Sequence, residues 1–393
     1  MLKRPSQFKA LSPSYLFPEI NRRKEAFLQK HPSAKLLSLG IGDTVLPLPK
    51  VIADALQDAA KELGTPEGYS GYGKEQGHLK LRESICKRLY PHLRADEIFI
   101  TDGAKSDLGR LQNLFGKTPK IGIQDPTYPV YVDGSILQGA EKIELLPCLP
   151  KNHFIPDLPE GLDLLYICNP NNPTGRAYSF EELKKIVDYA RENKTIILYD
   201  AAYSTYIQNK TLPKSVYEIP GAEEVAIEIN SFSKMAGFSG VRLGWTVVPK
   251  ALKYQCGHSI RDDYIRFGCT VFNGASNIAQ KGGLAVFSDE GWKAISESIA
   301  YTMDNAKILK RAFEKEGYRV YGGENAPYLW IETPGQNSWD VFQEFMEKRH
   351  LIITPGAGYG PSGEHFIRVS AFGFKEAILE GITRRIDEAN PAL

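Results

Sequence analysis

A lysine stands among small and hydroxyl-bearing residues, a combination that suits covalent chemistry at its amine. The segment 230–234 reads Asn-Ser-Phe-Ser-Lys, and glycines and Arg242 follow it closely. A lysine that forms a Schiff base needs surroundings that lower its pKa, and small neighbours let a bulky ring approach the backbone. Ser231, Ser233 and Arg242 carry donors suited to a phosphate dianion. A surface lysine in a Gly/Ser loop is the structural alternative for Lys234.

Two further segments carry groups that suit an aromatic ring. The turn 169–175 reads Asn-Pro-Asn-Asn-Pro-Thr-Gly, and because prolines fix a turn rigidly, its Asn172 is a good donor to a phenolate oxygen. Asp200 ends a predicted strand, where a carboxylate can keep a pyridine nitrogen protonated and make the ring an electron sink. Tyr203 can donate to a ring hydroxyl. Ordinary turns explain both segments if each is taken alone.

A possible phosphate site lies in the segment 101–106, Thr-Asp-Gly-Ala-Lys-Ser, which follows a predicted strand and opens a predicted helix. Free backbone N–H groups at a helix start bind phosphate oxygens, and the helix dipole favours the negative charge. Gly103 lets the phosphate come close. A plain strand-to-helix junction is an equally good explanation in isolation.

The elements that must position these groups belong to an α/β fold. Short β-branched and aromatic runs alternate with helical patterns, which is typical of βαβ units and a mainly parallel sheet sandwiched by helices. A capping box at Ser179 and Glu182 opens one of the predicted helices. The predicted strands of this region are 97–101, 120–124, 164–168, 195–199, 225–229 and 241–248.

The pattern changes after residue 285, where a helical stretch at 292–316 precedes strand patterns at 328–332 and 366–370. A chain of 393 residues exceeds the size at which one core keeps growing. We therefore predict a large domain over residues 46–285 and a smaller α+β domain over residues 286–393.

Charge and cysteine content exclude several classes of function. The chain has 48 basic and 47 acidic residues, a formal net charge of +1, which provides no field for nucleic acid or an anionic membrane. Its five cysteines are odd in number and form no CxxC pair, so we expect no disulfide framework and no metal site. With no apolar run of signal-peptide or membrane-span length, a cytoplasmic location and small-molecule substrates are expected.

The order of these motifs along the chain resembles that of the fold-type I aminotransferases. Asp200 follows Asn172 after 28 residues and Lys234 follows after 34 more. Within that family the sequence is most similar to the LL-diaminopimelate aminotransferases, through the segments 15–20, 67–77 and 102–105. The resemblance extends over essentially the whole chain, and it assigns residues 1–45 to an N-terminal arm and part of the smaller domain.

The resemblance implies pyridoxal 5'-phosphate as cofactor, with Lys234 as its Schiff-base lysine and Asp200 on the ring nitrogen. Asn172 and Tyr203 would contact the ring hydroxyl, and Tyr128 would stack on the ring face. A homodimer with shared active sites is implied because one phosphate contact belongs to the second subunit. The implied phosphate contacts are Ala104, Lys105, Ser231, Ser233, Arg242 and, from the second subunit, Tyr72.

The resemblance also implies the substrates. LL-diaminopimelate would transfer one amino group to 2-oxoglutarate, giving glutamate and a keto acid that cyclises to tetrahydrodipicolinate, in lysine and cell-wall precursor synthesis. Arg368 matches the arginine that grips the α-carboxylate, and Glu75 matches an acidic partner for the distal ammonium. The full set of implied substrate contacts is Tyr15, Gly42, Glu75, Lys105, Tyr128, Asn172, Asn273 and Arg368.

Three alternatives remain open from the sequence. An aminotransferase for aspartate, alanine or an aromatic amino acid would keep every cofactor residue and have no use for an acid at Glu75. A C–S lyase of the same fold would release pyruvate and ammonia without a keto-acid acceptor. A ligand-sensing regulator would need an attached DNA-binding module, which we do not expect here.

Overall fold

The structure is a computed structural model and describes residues 2–12 and 15–389. Its α-helices are α1 (Leu16–Lys30), α2 (Lys50–Glu62), α3 (Leu79–Leu89), α4 (Ala104–Phe115), α5 (Val130–Leu137), α6 (Phe180–Asn193), α7 (Phe232–Met235), α8 (Ile260–Val271), α9 (Asn277–Val286), α10 (Asp289–Lys315), α11 (Ser338–Arg349) and α12 (Lys375–Ala389). Its strands are β1 (Leu37–Ser38), β2 (Ile98–Thr101), β3 (Lys120–Asp125), β4 (Lys142–Pro147), β5 (Leu164–Cys168), β6 (Ile196–Asp200), β7 (Ala226–Ser231), β8 (Gly244–Val247), β9 (Val320–Gly322), β10 (Tyr328–Glu332), β11 (Leu351–Ile352), β12 (Thr354–Pro355) and β13 (Phe366–Ser370).

The largest sheet in the described part of the chain has seven strands in the order β2-β8-β7-β6-β5-β3-β4. The five strands β7, β6, β5, β3 and β4 run parallel to one another, and β8 runs in the opposite direction, antiparallel to β2 on one side and to β7 on the other. The predicted α/β class with a mainly parallel sheet is confirmed.

Both faces of this sheet are covered. Ile197 and Tyr199 of β6 pack in one apolar cluster, while Leu198 between them packs in another. Because successive side chains of a strand point to opposite faces, the two clusters lie on opposite sides of the sheet. Such burial on both sides explains why these strands read as continuous apolar runs.

Most predicted elements agree with the structure to within two residues. The predicted helical stretch 292–316 starts three residues late, because α10 begins at Asp289 after its cap Ser288, and two strands differ. The predicted strand 241–248 is shortened to β8, because Arg242 has φ 67° and cannot continue an extended strand. The edge strand β4 was missed, since much of it is only half-buried and its apolar pattern is weak. The capping box of α6 is confirmed: Glu182 N donates to Ser179 Oγ at 3.2 Å, and Ser179 N donates to the Glu182 carboxylate at 2.7 Å.

The N-terminal and C-terminal parts of the chain pack together around a second, antiparallel sheet. The antiparallel sheet β12-β13-β10-β9 shares an apolar cluster with Leu16, Ile20 and Phe27 of α1. Strand β1 pairs in parallel with β11, Leu37 opposite Leu351. The domain boundaries at residues 45 and 285 remain a prediction.

The carboxyl ends of the parallel strands bring separate segments together. Cys168 at the end of β5 pairs with Asp200 at the end of β6, and Ser231 ends the adjacent β7. Ligands of open α/β sheets bind at this edge. Among the described residues no helix is both long and apolar enough to cross a membrane, and no group of three or more His, Cys, Asp or Glu could hold a metal ion.

Candidate active site

A cavity of about 320 Å³ opens at the carboxyl edge of the large sheet. Both sheets contribute to its lining, because side chains of β10 and β13 in the antiparallel sheet lie beside those of the parallel sheet. The predicted site residues that it brings together are Gly42, Ala104, Lys105, Tyr128, Asn172, Asp200, Tyr203, Ser231, Ser233, Lys234, Arg242 and Arg368.

One end of the cavity is suited to a dianion. Helix α4 begins after Gly103, and no side-chain cap at Gly103 occupies its first N–H groups, so these donors could bind a phosphate as helix starts do in other proteins. Arg242 Nη1 donates to Ser239 O at 2.8 Å and to Ser233 Oγ at 3.4 Å. The buried hydroxyl of Ser239 has no hydrogen-bond partner among the described residues. The donors therefore fit a phosphate group.

Lys234 lies in the first turn after β7, where Ser231 caps the short helix α7 by accepting from Ser233 N at 3.1 Å. The lysine Nζ donates to the carbonyl of Gly42. The pKa of Lys234 is lowered to about 8, mainly by burial; the charge of Asp43 opposes this shift, and the cations of Arg368 and Arg242 add to it. A substantial fraction of this amine is therefore neutral and nucleophilic near neutral pH.

Asp200 is buried at the end of β6 and held by two donors. The hydroxyl of Tyr131 donates to its Oδ2 at 2.7 Å, and the backbone N–H of Ala202 donates to its Oδ1 at 3.0 Å. Burial raises the pKa of Asp200, and the hydrogen bond from Tyr131 opposes that rise. A protonated ring nitrogen beside this carboxylate would supply the missing positive charge.

The turn after β5 is fixed by its own asparagines. Asn171 Oδ1 accepts from Thr174 N at 3.2 Å and from Thr174 Oγ1 at 3.0 Å, and Gly175 N donates to Asn171 O at 2.8 Å. Asn172 Oδ1 accepts from Arg368 Nη1 at 2.7 Å. Because the amide oxygen is engaged, the amide nitrogen is the part of Asn172 that can donate to a ligand.

Arg368 is a buried cation, 1% exposed, on β13. Besides donating to Asn172, Arg368 donates to Gly40 O at 2.5 Å, and its guanidinium carbon Cζ lies 4.3 Å from the ring centre of Tyr328. Its Nε has no partner, and no carboxylate within the described ranges forms an ion pair with it. A buried charge without a counterion is costly, so this guanidinium is suited to bind the carboxylate of a ligand.

Tyrosines line the rest of the cavity and its mouth. The hydroxyls of Tyr203 and Tyr328 are 2.5 Å apart. At the mouth, Tyr15 adjoins Tyr128, and Lys105 Nζ lies 5.1 Å from the ring centre of Tyr15. Burial raises the pKa of Tyr15 to about 12 and lowers the pKa of Lys105. Tyr15 therefore stays protonated as a hydrogen-bonding group.

Four residues predicted for the site are not among those that line the cavity of their own chain: Tyr15, which lies at its mouth, and the three surface residues Tyr72, Glu75 and Asn273. Tyr72 is 90% exposed, and Glu75 and Asn273 are exposed as well. For Tyr72 this agrees with its predicted assignment to the other subunit. The roles of all three remain predictions.

Several cavity residues were missed by sequence reasoning. Tyr131 stands three residues after Tyr128 at the start of α5, and this helical spacing was an available signal. Tyr328 belongs to the antiparallel sheet, and no local pattern ties it to the cavity. Ser239 and Asp43 lie in irregular segments and likewise carried no signal.

The mainly parallel sheet, with Lys234 at its carboxyl edge, defines the fold of the fold-type I pyridoxal-phosphate-dependent transferases. The chain belongs to the class I and II aminotransferase family, whose sequence profile matches residues 34–386.

Two relatives and one solved structure within this family are similar to the chain over nearly its whole length. The LL-diaminopimelate aminotransferase of Protochlamydia amoebophila is 49% identical, over 98% of this chain and 97% of that protein. The chloroplastic LL-diaminopimelate aminotransferase of Arabidopsis thaliana is 50% identical, over 98% of this chain and 86% of its own. The solved L,L-diaminopimelate aminotransferase of Chlamydomonas reinhardtii is 53% identical with a TM-score of 0.95, covering 99% of this chain and 98% of that one.

Proposed function

We propose that this aminotransferase uses pyridoxal 5'-phosphate to transfer an amino group from LL-diaminopimelate to 2-oxoglutarate, giving glutamate and tetrahydrodipicolinate. The observation that carries the reaction type is the presence of Lys234 and the uncompensated Arg368 guanidinium on one cavity. The substrate is inferred from relatives of that name that are about half identical over nearly the whole chain.

The residues present fit the cofactor. The start of α4, Ser231, Ser233 and Arg242 would hold its phosphate, and Lys234 would attach it. Asp200 would pair with its ring nitrogen, Asn172 and Tyr203 with its ring oxygen, and Tyr128 with its ring face. When bound, the cofactor supplies an electron sink for the charge that develops at the substrate's α-carbon.

The chain's own groups would bind, orient and move the proton. Arg368 fixes the α-carboxylate, with a position already set by Asn172 and Gly40. Lys234 removes the α-proton of the substrate and later gives it back to complete the amino transfer. Its lowered pKa suits this role as a base and then an acid. Burial of both groups keeps bulk water from the reacting atoms.

Recognition of the second amino acid group of diaminopimelate is assigned to the mouth of the cavity. Tyr15 and Lys105 belong to the same chain, whereas Glu75 and Asn273 would come from the partner in a homodimer, together with Tyr72 on the phosphate. A carboxylate at Glu75 would pair with the distal ammonium. The five cysteines, all free in the structure, support a reducing, cytoplasmic location as part of this proposal.

An amino-transfer assay tests the proposal. The purified protein, reconstituted with pyridoxal phosphate, is offered LL-diaminopimelate with 2-oxoglutarate, beside aspartate, alanine and tyrosine, and Lys234→Ala serves as the inactive control. We expect a strong preference for LL-diaminopimelate. Preference for a common amino acid would move the substrate assignment, and release of pyruvate and ammonia from cysteine-like substrates without an acceptor would favour the lyase.

A further inference from the structure

Two segments at the surface are tied together by one asparagine. The loop 70–78 contains Tyr72 and Glu75, and it lies against the start of α9. Asn277 Nδ2 donates to Ser70 Oγ and to Gly71 O, each at 3.0 Å. Its Oδ1 lies 2.9 Å from His78 Nε2, which is the donor in that contact. Asn277 thus uses both ends of its amide to hold both ends of the loop.

A buried glutamine makes a second tie. Gln280 is fully buried, its Oε1 accepts from His78 N at 2.7 Å, and its Nε2 donates to Ala275 O at 2.9 Å. His78 ends the loop 70–78, while Ala275 belongs to the turn that carries Asn273. One side chain therefore joins the loop to this turn.

The loop 70–78 packs tightly against the segment that includes Gly274 and the start of α9. A Cβ at Gly73 would lie 2.8 Å from Asn277 Oδ1, and a Cβ at Gly274, where φ is +87°, would lie 3.2 Å from Lys74 O. Such spacing admits only glycine without a shift of the neighbour. The loop and the turn therefore form one packed unit.

The outer surface of this unit is exposed and aromatic. Tyr69 is 72% exposed, Tyr72 is 90% exposed, and Glu75 and Asn273 are exposed beside them. A large aromatic residue on a rigid, internally bonded loop is typical of a surface that meets a partner. Tyr72, Glu75 and Asn273 do not line the cavity of their own chain, so a second copy is the partner that their predicted roles require.

We propose that Asn277 and Gln280 are positioning residues for transamination, holding Tyr72, Glu75 and Asn273 in one preformed arrangement that enters the active site of the partner copy. This inference rests on the proposed function. Neither residue touches the substrate. Their contribution is preorganisation, which reduces the ordering that binding would otherwise require.

Kinetics of single variants test the proposal. In Asn277→Ala and Gln280→Ala we expect the KM for LL-diaminopimelate to rise about tenfold, with a smaller change in kcat, because each variant loses hydrogen bonds that order the unit. The affinity of the apoprotein for pyridoxal phosphate, measured by absorbance titration, should fall because Tyr72 is displaced. Asn193→Ala is the control, since Asn193 Nδ2 also bonds a backbone carbonyl at 2.9 Å but lies in α6.

A mixed dimer separates an effect on the partner from an effect within the subunit. One subunit carries Lys234→Ala and the other Asn277→Ala, with two affinity tags to isolate the hybrid. The only working Lys234 then belongs to the Asn277→Ala subunit and receives the intact loop of its partner. We expect the hybrid to show the KM of the wild type, whereas the Asn277→Ala homodimer keeps the raised KM.

The outcomes are distinguishable. A raised KM in the hybrid, or variants that lose thermal stability with unchanged KM and cofactor affinity, would overturn the inference. If the wild type does not turn over LL-diaminopimelate, the proposed function fails, and unchanged cofactor affinity of the variants would then overturn the positioning role as well. Should Gln280→Ala fail to fold, Gln280→Glu keeps the acceptor for His78 N and provides the same measurements.

Discussion

Asn172, in the turn after β5, and Arg368, on β13 of the antiparallel sheet, are joined by a 2.7 Å hydrogen bond although they are 196 positions apart. The bond fixes the group proposed to bind the substrate carboxylate relative to the group proposed to bind the cofactor ring. Gly40 O, which also accepts from Arg368, adds the N-terminal segment to the same arrangement. A single buried guanidinium therefore links the proposed substrate site to the proposed cofactor site.

Replacing Arg368 should lower the catalytic efficiency both with the amino donor and with the keto-acid acceptor. In Arg368→Lys the planar fork is lost, Asn172 Oδ1 and Gly40 O lose their donors, and we expect kcat/KM to fall by about 100-fold for LL-diaminopimelate and for 2-oxoglutarate alike. Steady-state kinetics with each substrate varied in turn measure this. Arg319→Lys is the control, because Arg319 is 72% exposed and away from the cavity. A loss confined to one substrate would contradict the shared carboxylate site.

The lowered pKa of Lys234 predicts how cofactor capture depends on pH. Only the neutral amine reacts with an aldehyde, so the capture rate of the apoprotein should rise with pH and level off above a midpoint of about 8. An ordinary lysine would keep gaining reactivity up to about pH 10.4. The rate is followed by absorbance after mixing with pyridoxal phosphate.

Asp43 provides the matched variant for that measurement. Its charge raises the pKa of Lys234 against the larger effect of burial. In Asp43→Asn the midpoint of the capture rate should therefore move to lower pH. A midpoint near that of free lysine in the wild type would show that burial does not control the pKa of this amine. A shift to higher pH in the variant would show that the Asp43 charge does not raise that pKa.

The sequence predicted correctly that three of the cavity residues lie close together. Asn172 and Lys234 come shortly after strands of the parallel sheet, Asp200 is the last residue of another, and the carboxyl ends of such strands meet at one edge. Their order along the chain and their residue types therefore determined their proximity. The parallel strands themselves were visible because burial on both faces produces continuous apolar runs.

The remaining contacts depend on packing that no local pattern records. Tyr328 reaches Tyr203 from the antiparallel sheet, and its strand β10 is buried at four successive positions, so the apolar pattern does not show which side chain faces the cavity. The approach of Arg368 to Asn172 likewise depends on how the two layers are docked. The tie between the loop 70–78 and Gln280 spans 202 positions at His78 and gave no signal in the sequence.

Removing the hydroxyl of Tyr131 should make cofactor binding more sensitive to acid. Burial already raises the pKa of Asp200, and the Tyr131 hydrogen bond favours the ionised form. In Tyr131→Phe the pKa rises further, so the carboxylate is protonated, and lost as a partner for a cationic ring, at a higher pH than in the wild type. We expect affinity for pyridoxal phosphate to fall about tenfold at acidic pH, and equal affinity of both proteins at every pH would contradict this.

Gly103 should be required for the phosphate site, and the same helix offers its control. At Gly103, φ is +118° and a Cβ would lie 2.5 Å from Arg242 Nη2, whereas a Cβ at Gly109, within α4, meets nothing within 4 Å. Gly103→Ala should cost about 1–3 kcal/mol through backbone strain and displace Arg242 from the phosphate donors, whereas Gly109→Ala should stabilise the helix by up to about 1 kcal/mol. Thermal unfolding and cofactor titration of both variants measure these effects. If Gly103→Ala kept the cofactor affinity of Gly109→Ala, the start of α4 would not be the phosphate site, because a methyl group at residue 103 meets Arg242 whereas one at residue 109 meets nothing within 4 Å.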